Sequence, residues 1–224
     1  MSYAVSTCAT VRHRPGHAGA FFLLFALLLG DHVSAQIAEE PAAARAGLER
    51  VAREMVTALQ DPAVRKDVRR IRQLVVQTLV PQIDFRVSSN LVLGEHWAEA
   101  SEAQQGAFIE EFQSFLVRFY AGALASYVDS GEVTVPVMSF NEEPRVKDER
   151  QLIVRSQVGQ PSGDSVAVDY RMFWRDSWRI IDVSVRGISM VQNYRSNFIS
   201  TVQQQGIDVL IAQLQKRNQS FSAN

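Results

Sequence analysis

Asp169, Asp182 and His96 are the residues whose chemical types invite a catalytic reading. The two aspartates fall on stretches that read as neighbouring strands, and two carboxylates in one pocket are a common acid–base arrangement. Arg171 and Arg179 lie on the same strands, so exposed cross-strand ion pairs account for both aspartates without any reaction. His96 stands beside Trp97, with no serine or cysteine nucleophile in a motif context, and reads as a polar loop residue. Gly159-Gln-Pro-Ser-Gly163 sets a serine between glycines, but not at the G-x-S-x-G spacing of a nucleophile elbow. Neither G-x-x-x-x-G-K-[ST] nor G-x-G-x-x-G occurs, so no nucleotide site is expected. A zinc site needs several His or Cys ligands, and beyond Ala35 only His96 remains and no cysteine. The expected protein is therefore no enzyme and carries no catalytic residue, metal or cofactor.

Apolar side chains are plentiful instead. The chain has 12 phenylalanines, enough to line a cavity, but composition alone fits an ordinary filled core equally well. The basic run Arg65, Lys66, Arg69, Arg70 and Arg72 reads as a solvated helix face, or else as a docking surface for anionic headgroups or an acidic partner.

The N-terminus carries an address. Arg12 and Arg14 precede an apolar run from Ala18 to Leu29, followed by Val33-Ser34-Ala35. This is a positive n-region, a short h-region and an A-x-A-like cleavage site, so residues 1–35 read as a signal peptide cleaved after Ala35. The run has about twelve residues, against the roughly 20 that span a bilayer. What remains holds 21 basic and 23 acidic residues, a balance that argues against nucleic-acid binding. A secreted chain without disulfides suits a bacterial periplasm. Residues 36–218 are enough for one domain with its own core, and residues 219–224 read as a frayed polar tail.

The elements that must position these residues follow from periodicity. Glu40 to Gln60 is rich in helix formers. Asp61-Pro62 offers a cap and a first-turn proline. Val64, Val68, Ile71, Val75 and Leu79 then form one helical stripe that Pro81 stops. Phe85 to Leu93 is a short helix ended by Gly94. Ser101-Glu-Ala-Gln104 has the form of a capping box opening the longest helix, about Glu102 to Tyr127, with Phe108, Phe112, Phe115, Leu116, Phe119, Tyr120 and Leu124 on one side. The period then changes to two. Val133–Val137, Leu152–Val158, Val166–Trp174 and Trp178–Val185 read as strands, with turns at Gln160–Asp164 and Arg175–Ser177. Ala167, Asp169, Arg171 and Phe173 make a wet outer face. Gly187 ends the sheet and leads directly into a helix bearing Met190, Val191, Tyr194, Phe198 and Val202. Gly206 separates it from a last helix. The expectation is an α+β domain with an antiparallel meander of about four strands.

Trp174-Arg-Asp-Ser-Trp178 through Gly187-Ile-Ser-Met-Val-Gln-Asn-Tyr-Arg-Ser-Asn197-Phe resembles the MlaC family, the periplasmic phospholipid-binding component of lipid-asymmetry and toluene-tolerance ABC transport systems. Gly206-Ile-Asp-Val-Leu-Ile-Ala-Gln-Leu and Leu91-Val-Leu-Gly-Glu-His-Trp97 are similar to that family as well. The resemblance implies an NTF2-like fold, in which a curved sheet wrapped by helices encloses an apolar cavity. It implies a monomeric phospholipid carrier, passing lipid between an outer-membrane lipoprotein–porin complex and an inner-membrane ABC transporter. Carried over by position, the acyl-chain contacts are Phe112, Phe115, Phe119, Tyr120, Val168, Tyr170, Met172, Val183, Val185, Met190, Val191 and Tyr194. Two other readings stand beside it: a binder of hopanoid or another apolar ligand on the same fold, and a small NTF2-like enzyme using a pocket carboxylate such as Asp169 or Asp182.

Overall fold

The alternation of Val166 to Val185 becomes a hairpin of two long strands in the middle of the sheet. The structure, a computed structural model, describes residues 31–129, 138–159 and 163–220, and the side chains among them except those of residues 31–40 and 127–129. The expected signal peptide as far as Gly30, the strand expected at Val133–Val137, most of the Gln160–Asp164 turn and the tail beyond Ser220 lie outside the described residues. The chain divides into two compact units, residues 1–39 and 40–224. In the first, the described residues 31–39 are helical; the features below belong to the second.

Helices α1 (Asp31–Gln60), α2 (Pro62–Arg65), α3 (Val68–Thr78), α4 (Phe85–Leu93), α5 (His96–Glu99) and α6 (Glu102–Asp129) come first. Strands β1 (Met138–Ser139), β2 (Arg145–Asp148), β3 (Gln151–Gly159), β4 (Ser165–Trp174), β5 (Trp178–Val185) and β6 (Ile188–Ser189) follow, then helices α7 (Met190–Gln205) and α8 (Ile207–Ser220). The sheet runs β1-β3-β4-β5-β6, with β2 also paired to β3 and every pairing antiparallel. This is the expected α+β class. The described sheet has six strands rather than about four, because short β1, β2 and β6 extend a core of three long ones.

Local signals explain most boundaries. Asp61 accepts a hydrogen bond from the Ala63 N–H at 2.8 Å and caps α2. Ser101 and Gln104 exchange the reciprocal bonds of a capping box at 3.0 and 3.3 Å, as that motif requires. The stripe from Val64 to Leu79 is not one helix, however. Asp67 takes the Arg69 N–H at 2.9 Å and starts α3 anew, since a short carboxylate competes well for unpaired first-turn donors. The helix ends at Thr78, and Pro81 sits in a separate 3₁₀ turn, Val80–Gln82. Among the described residues α1 spans 30 positions and α6, expected to be the longest helix, 28. Gly187 does not end the sheet either. Arg186 and Gly187, at φ 51° and 80°, form a two-residue hairpin turn of the kind that positive φ permits. Ile188 returns to pair with Val185, and only then does Ser189 cap α7 through the Gln192 N–H at 3.1 Å.

A bulge decides how the sheet meets the helices. Arg171 pairs with Asp182 and Met172 with Ile180, which leaves Ile181 as an extra residue on β5. Such a residue bends its strand and breaks the local ladder. The carbonyls there are taken by α4 and its cap: the Asp84 N–H donates to Ile180 O at 2.9 Å, and Ser88 Oγ donates to Ile181 O at 2.9 Å. The start of α4 is thereby fixed to the middle of β5.

Buried residues form three groups. Phe108, Phe112, Phe115, Tyr194, Phe198 and Leu214 centre the packing of α6 against α7 and α8. Leu59, Ile71, Val75 and Val117 join α1, α3 and α6. Ala44 and Leu48 of α1 lie on Leu152, Val154, Met172 and Ile180 of the sheet. The other sheet face is polar: Arg155 grips Asp169 at 2.6 and 2.8 Å, and Arg145 adds a contact at 3.3 Å.

Candidate functional site

Between α3, the 3₁₀ turn, α4, α6, β5 and α7 the packing leaves a cavity of about 270 Å³. Each wall has a local cause. The aromatic stripe of α6 brings Phe112, Leu116 and Tyr120 to one side, at the helical spacing of four. Beyond the Ile181 bulge, β5 alternates to present Val183 and Val185. The hairpin at Arg186–Gly187 reverses the chain, so that the first turn of α7 adds Met190 and Val191, with Tyr194 one turn on.

Seven of the expected contacts thus meet here: Phe112, Tyr120, Val183, Val185, Met190, Val191 and Tyr194 line the cavity. The other five stand elsewhere. Phe115 is buried edge-on against Tyr194, ring centroids 5.8 Å apart. Phe119 turns outward and is 45% exposed. Met172 is covered by α1 through Ala44 and Leu48, Tyr170 lies by Phe140 at 6.4 Å, and Val168 is buried in the sheet outside the wall. Sequence reading passed over Val75, Leu79, Ile83, Phe85, Ile180 and Ile181, all wall residues. Val75 and Leu79 were visible as members of the α3 stripe. The adjacent pair Ile180-Ile181 broke the alternation of β5, which is the mark a bulge leaves in a sequence.

The polar groups in and near this wall are committed. Asp182 Oδ2 accepts from Ser189 Oγ at 2.6 Å and its Oδ1 from the Val191 N–H at 3.0 Å, so this carboxylate organises the start of α7. Asp169 sits on the polar face, where its hydrogen bonds from Arg155 hold its pKa below the ordinary aspartate value, against the opposing effect of burial. The two aspartates therefore have separate partners. The expected partnerships with Arg171 and Arg179 are replaced, because Arg171 donates to Gln151 and Arg179 to the Pro81 carbonyl. His96 is in the short helix α5 rather than a loop, with Nδ1 2.6 Å from Glu99 Oε2. Tyr120 and Tyr194 face one another with their oxygens 3.5 Å apart. Burial raises the pKa of each, so both hydroxyls keep their protons at neutral pH. Among the described residues no group of His, Cys, Asp and Glu is placed to hold a metal, and no helix is long and apolar enough to cross a membrane.

Comparison with known proteins places this arrangement. The structure is similar to that of a phospholipid-binding protein from Ralstonia solanacearum, solved in complex with a phospholipid. Identity is 28%, the TM-score is 0.69, and the match covers 80% of this chain and 98% of that one. The intermembrane phospholipid transport system binding protein MlaC of Haemophilus influenzae is 24% identical over 158 residues, spanning 68% of this chain and 71% of the relative. The model of the MlaC protein family matches residues 49–216. That span takes in every wall of the cavity, and the chain belongs to the MlaC family.

Proposed function

We propose that this protein is a non-enzymatic periplasmic carrier that holds phospholipid acyl chains in the cavity between β5 and helices α3, α4, α6 and α7. The observation that carries the reading is the nature of the wall. Among the described residues it is built almost wholly from aliphatic and aromatic side chains, and its one carboxylate, that of Asp182, is already bonded on both oxygens. Such a space suits acyl chains. At roughly 0.8 kcal/mol per methylene, one sixteen-carbon chain costs on the order of 12 kcal/mol to expose to water. A carrier between membranes must therefore enclose the tails, whereas the headgroup stays solvated. Tyr120 and Val185, 39% and 38% exposed, are the most exposed of the described wall residues, and they mark the side on which a headgroup remains.

In this reading residues 1–35 direct export and are removed after Ala35. The mature monomer receives and delivers lipid at an outer-membrane lipoprotein–porin complex and an inner-membrane Mla-type ABC transporter. The phospholipid held by the Ralstonia solanacearum protein and the transport system named for the Haemophilus influenzae relative both support it.

Native mass spectrometry of protein released from the periplasm without detergent tests the proposal. A mass excess equal to one or two diacyl phospholipids, identified after organic extraction, is the expected result. A clean apo mass that persists after incubation with phospholipid vesicles would overturn it. A hopanoid mass would overturn the choice of lipid and keep the carrier.

A further inference from the structure

Nearly every polar atom on the cavity wall is satisfied from within the protein. Ser88 Oγ is bonded to Ile181 O, and both oxygens of Asp182 are taken by Ser189 and the Val191 N–H. Tyr120 and Tyr194 differ. Their oxygens are 3.5 Å apart, well beyond the roughly 2.7–2.8 Å of a good O–H···O bond. Two hydroxyls bring two protons, and a pair can place only one of them between its own oxygens. One O–H donor is left over at the cavity. Tyr194 is only 8% exposed and Tyr120 39% exposed, so the pair spans the boundary between the apolar interior and water.

We propose that the Tyr120–Tyr194 pair donates a hydrogen bond to an ester carbonyl oxygen of the bound lipid, at the point where acyl chain meets headgroup. The ligand class is then ester-linked glycerolipid, in preference to ether-linked lipid or hydrocarbon. This inference rests on the reading that the cavity holds acyl chains, and it refines that reading. Position supports it, because the ester is the group that comes to lie at the mouth once the tails are inside. Charge supports it too. Among the described residues the wall includes Asp182 but no lysine, arginine or histidine. A phosphate brought to the same spot would lose hydration without gaining a cation, whereas a neutral carbonyl needs only a donor.

The test is a competition between two phosphatidylethanolamines of equal chain length, one diacyl and one di-O-alkyl, supplied in mixed vesicles. Native mass spectrometry reads the ratio retained. The parent protein is expected to favour the diacyl lipid by up to about tenfold, the scale of one net hydrogen bond. In the Tyr120→Phe/Tyr194→Phe variant, which removes only the two oxygens, the ratio is expected to fall to about one. The single Tyr120→Phe variant keeps one hydroxyl proton, but on Tyr194, which at 8% exposed is set back from the mouth, so the ratio should fall, and the test stays available should the double variant fold poorly. Equal retention of both lipids by the parent would overturn the inference and leave the carrier reading standing. A full diacyl preference surviving in the folded variants would do the same. A parent protein that retains neither lipid would overturn the carrier reading, and this inference with it.

Discussion

Met190 offers a place where helix stability and ligand binding can be separated. It is the first residue of α7, directly after the capping Ser189, half-buried, with its side chain on the cavity wall. Met190→Glu puts a carboxylate in the first turn of a helix, where the macrodipole favours negative charge by about 0.3–1 kcal/mol, and glutamate has nearly the helix propensity of methionine. The Asp182 bond to the Val191 N–H uses main chain and survives the change. The fold is therefore expected to hold. An acyl chain lying against this wall meets a hydrated charge instead of a thioether. If about four methylenes lose their cover, the loss is about 3 kcal/mol at 0.8 kcal/mol each. That corresponds to roughly a hundredfold weaker retention. The assay is native mass spectrometry for bound lipid, paired with thermal unfolding by circular dichroism, and Met190→Leu serves as the volume-conserving control. A folded Met190→Glu protein carrying its normal complement of lipid would refute the placement of the cavity wall.

Other substitutions probe the frame. Phe198 is buried against Phe108, Phe112 and Tyr194 and off the cavity wall, so Phe198→Ala should cost about 3–5 kcal/mol, read as a lower urea midpoint. Gly94 closes α4 at φ 58° and ψ −125°, a conformation costly for any residue with a Cβ, and the Arg195 guanidinium lies against it. Gly94→Ala should therefore destabilise by about 1–3 kcal/mol, whereas Arg195→Ala should cost much less, both measured by chemical denaturation. Asp169 has a pKa depressed below the ordinary aspartate value, chiefly by its Arg155 hydrogen bond. Its contribution is present above about pH 4 and is lost as pH falls through the lower folded value. Asp169→Asn should accordingly melt below the parent at pH 7, with the gap closing in acid; a gap of unchanged size at pH 2 would count against the pairing.

The boundaries that local chemistry controls were readable along the chain. The Ser101–Gln104 box, the Asp61 cap, the stops at Gly94 and Gly206 and the Arg175–Ser177 hairpin each depend on bonds or backbone angles within a few residues. Asp67 was masked because an apolar stripe running through it suggested continuity, while its carboxylate favoured a fresh start. The cavity was only half legible. The family resemblance put Val168, Tyr170, Met172, Val183 and Val185 in one class with Phe112, Phe115, Phe119 and Tyr120, which helical spacing had set on one side of α6. Periodicity tells which way an apolar side chain faces, since that is set by the turn of its own element. It says nothing about what stands opposite. Ala44 and Leu48 arrive from more than a hundred residues away to cover Met172, and Ser88 ties α4 to the Ile181 bulge across 93 positions. Whether an apolar face meets a neighbour or empty space is decided by those distant packings, and so only the tertiary structure separates wall from core.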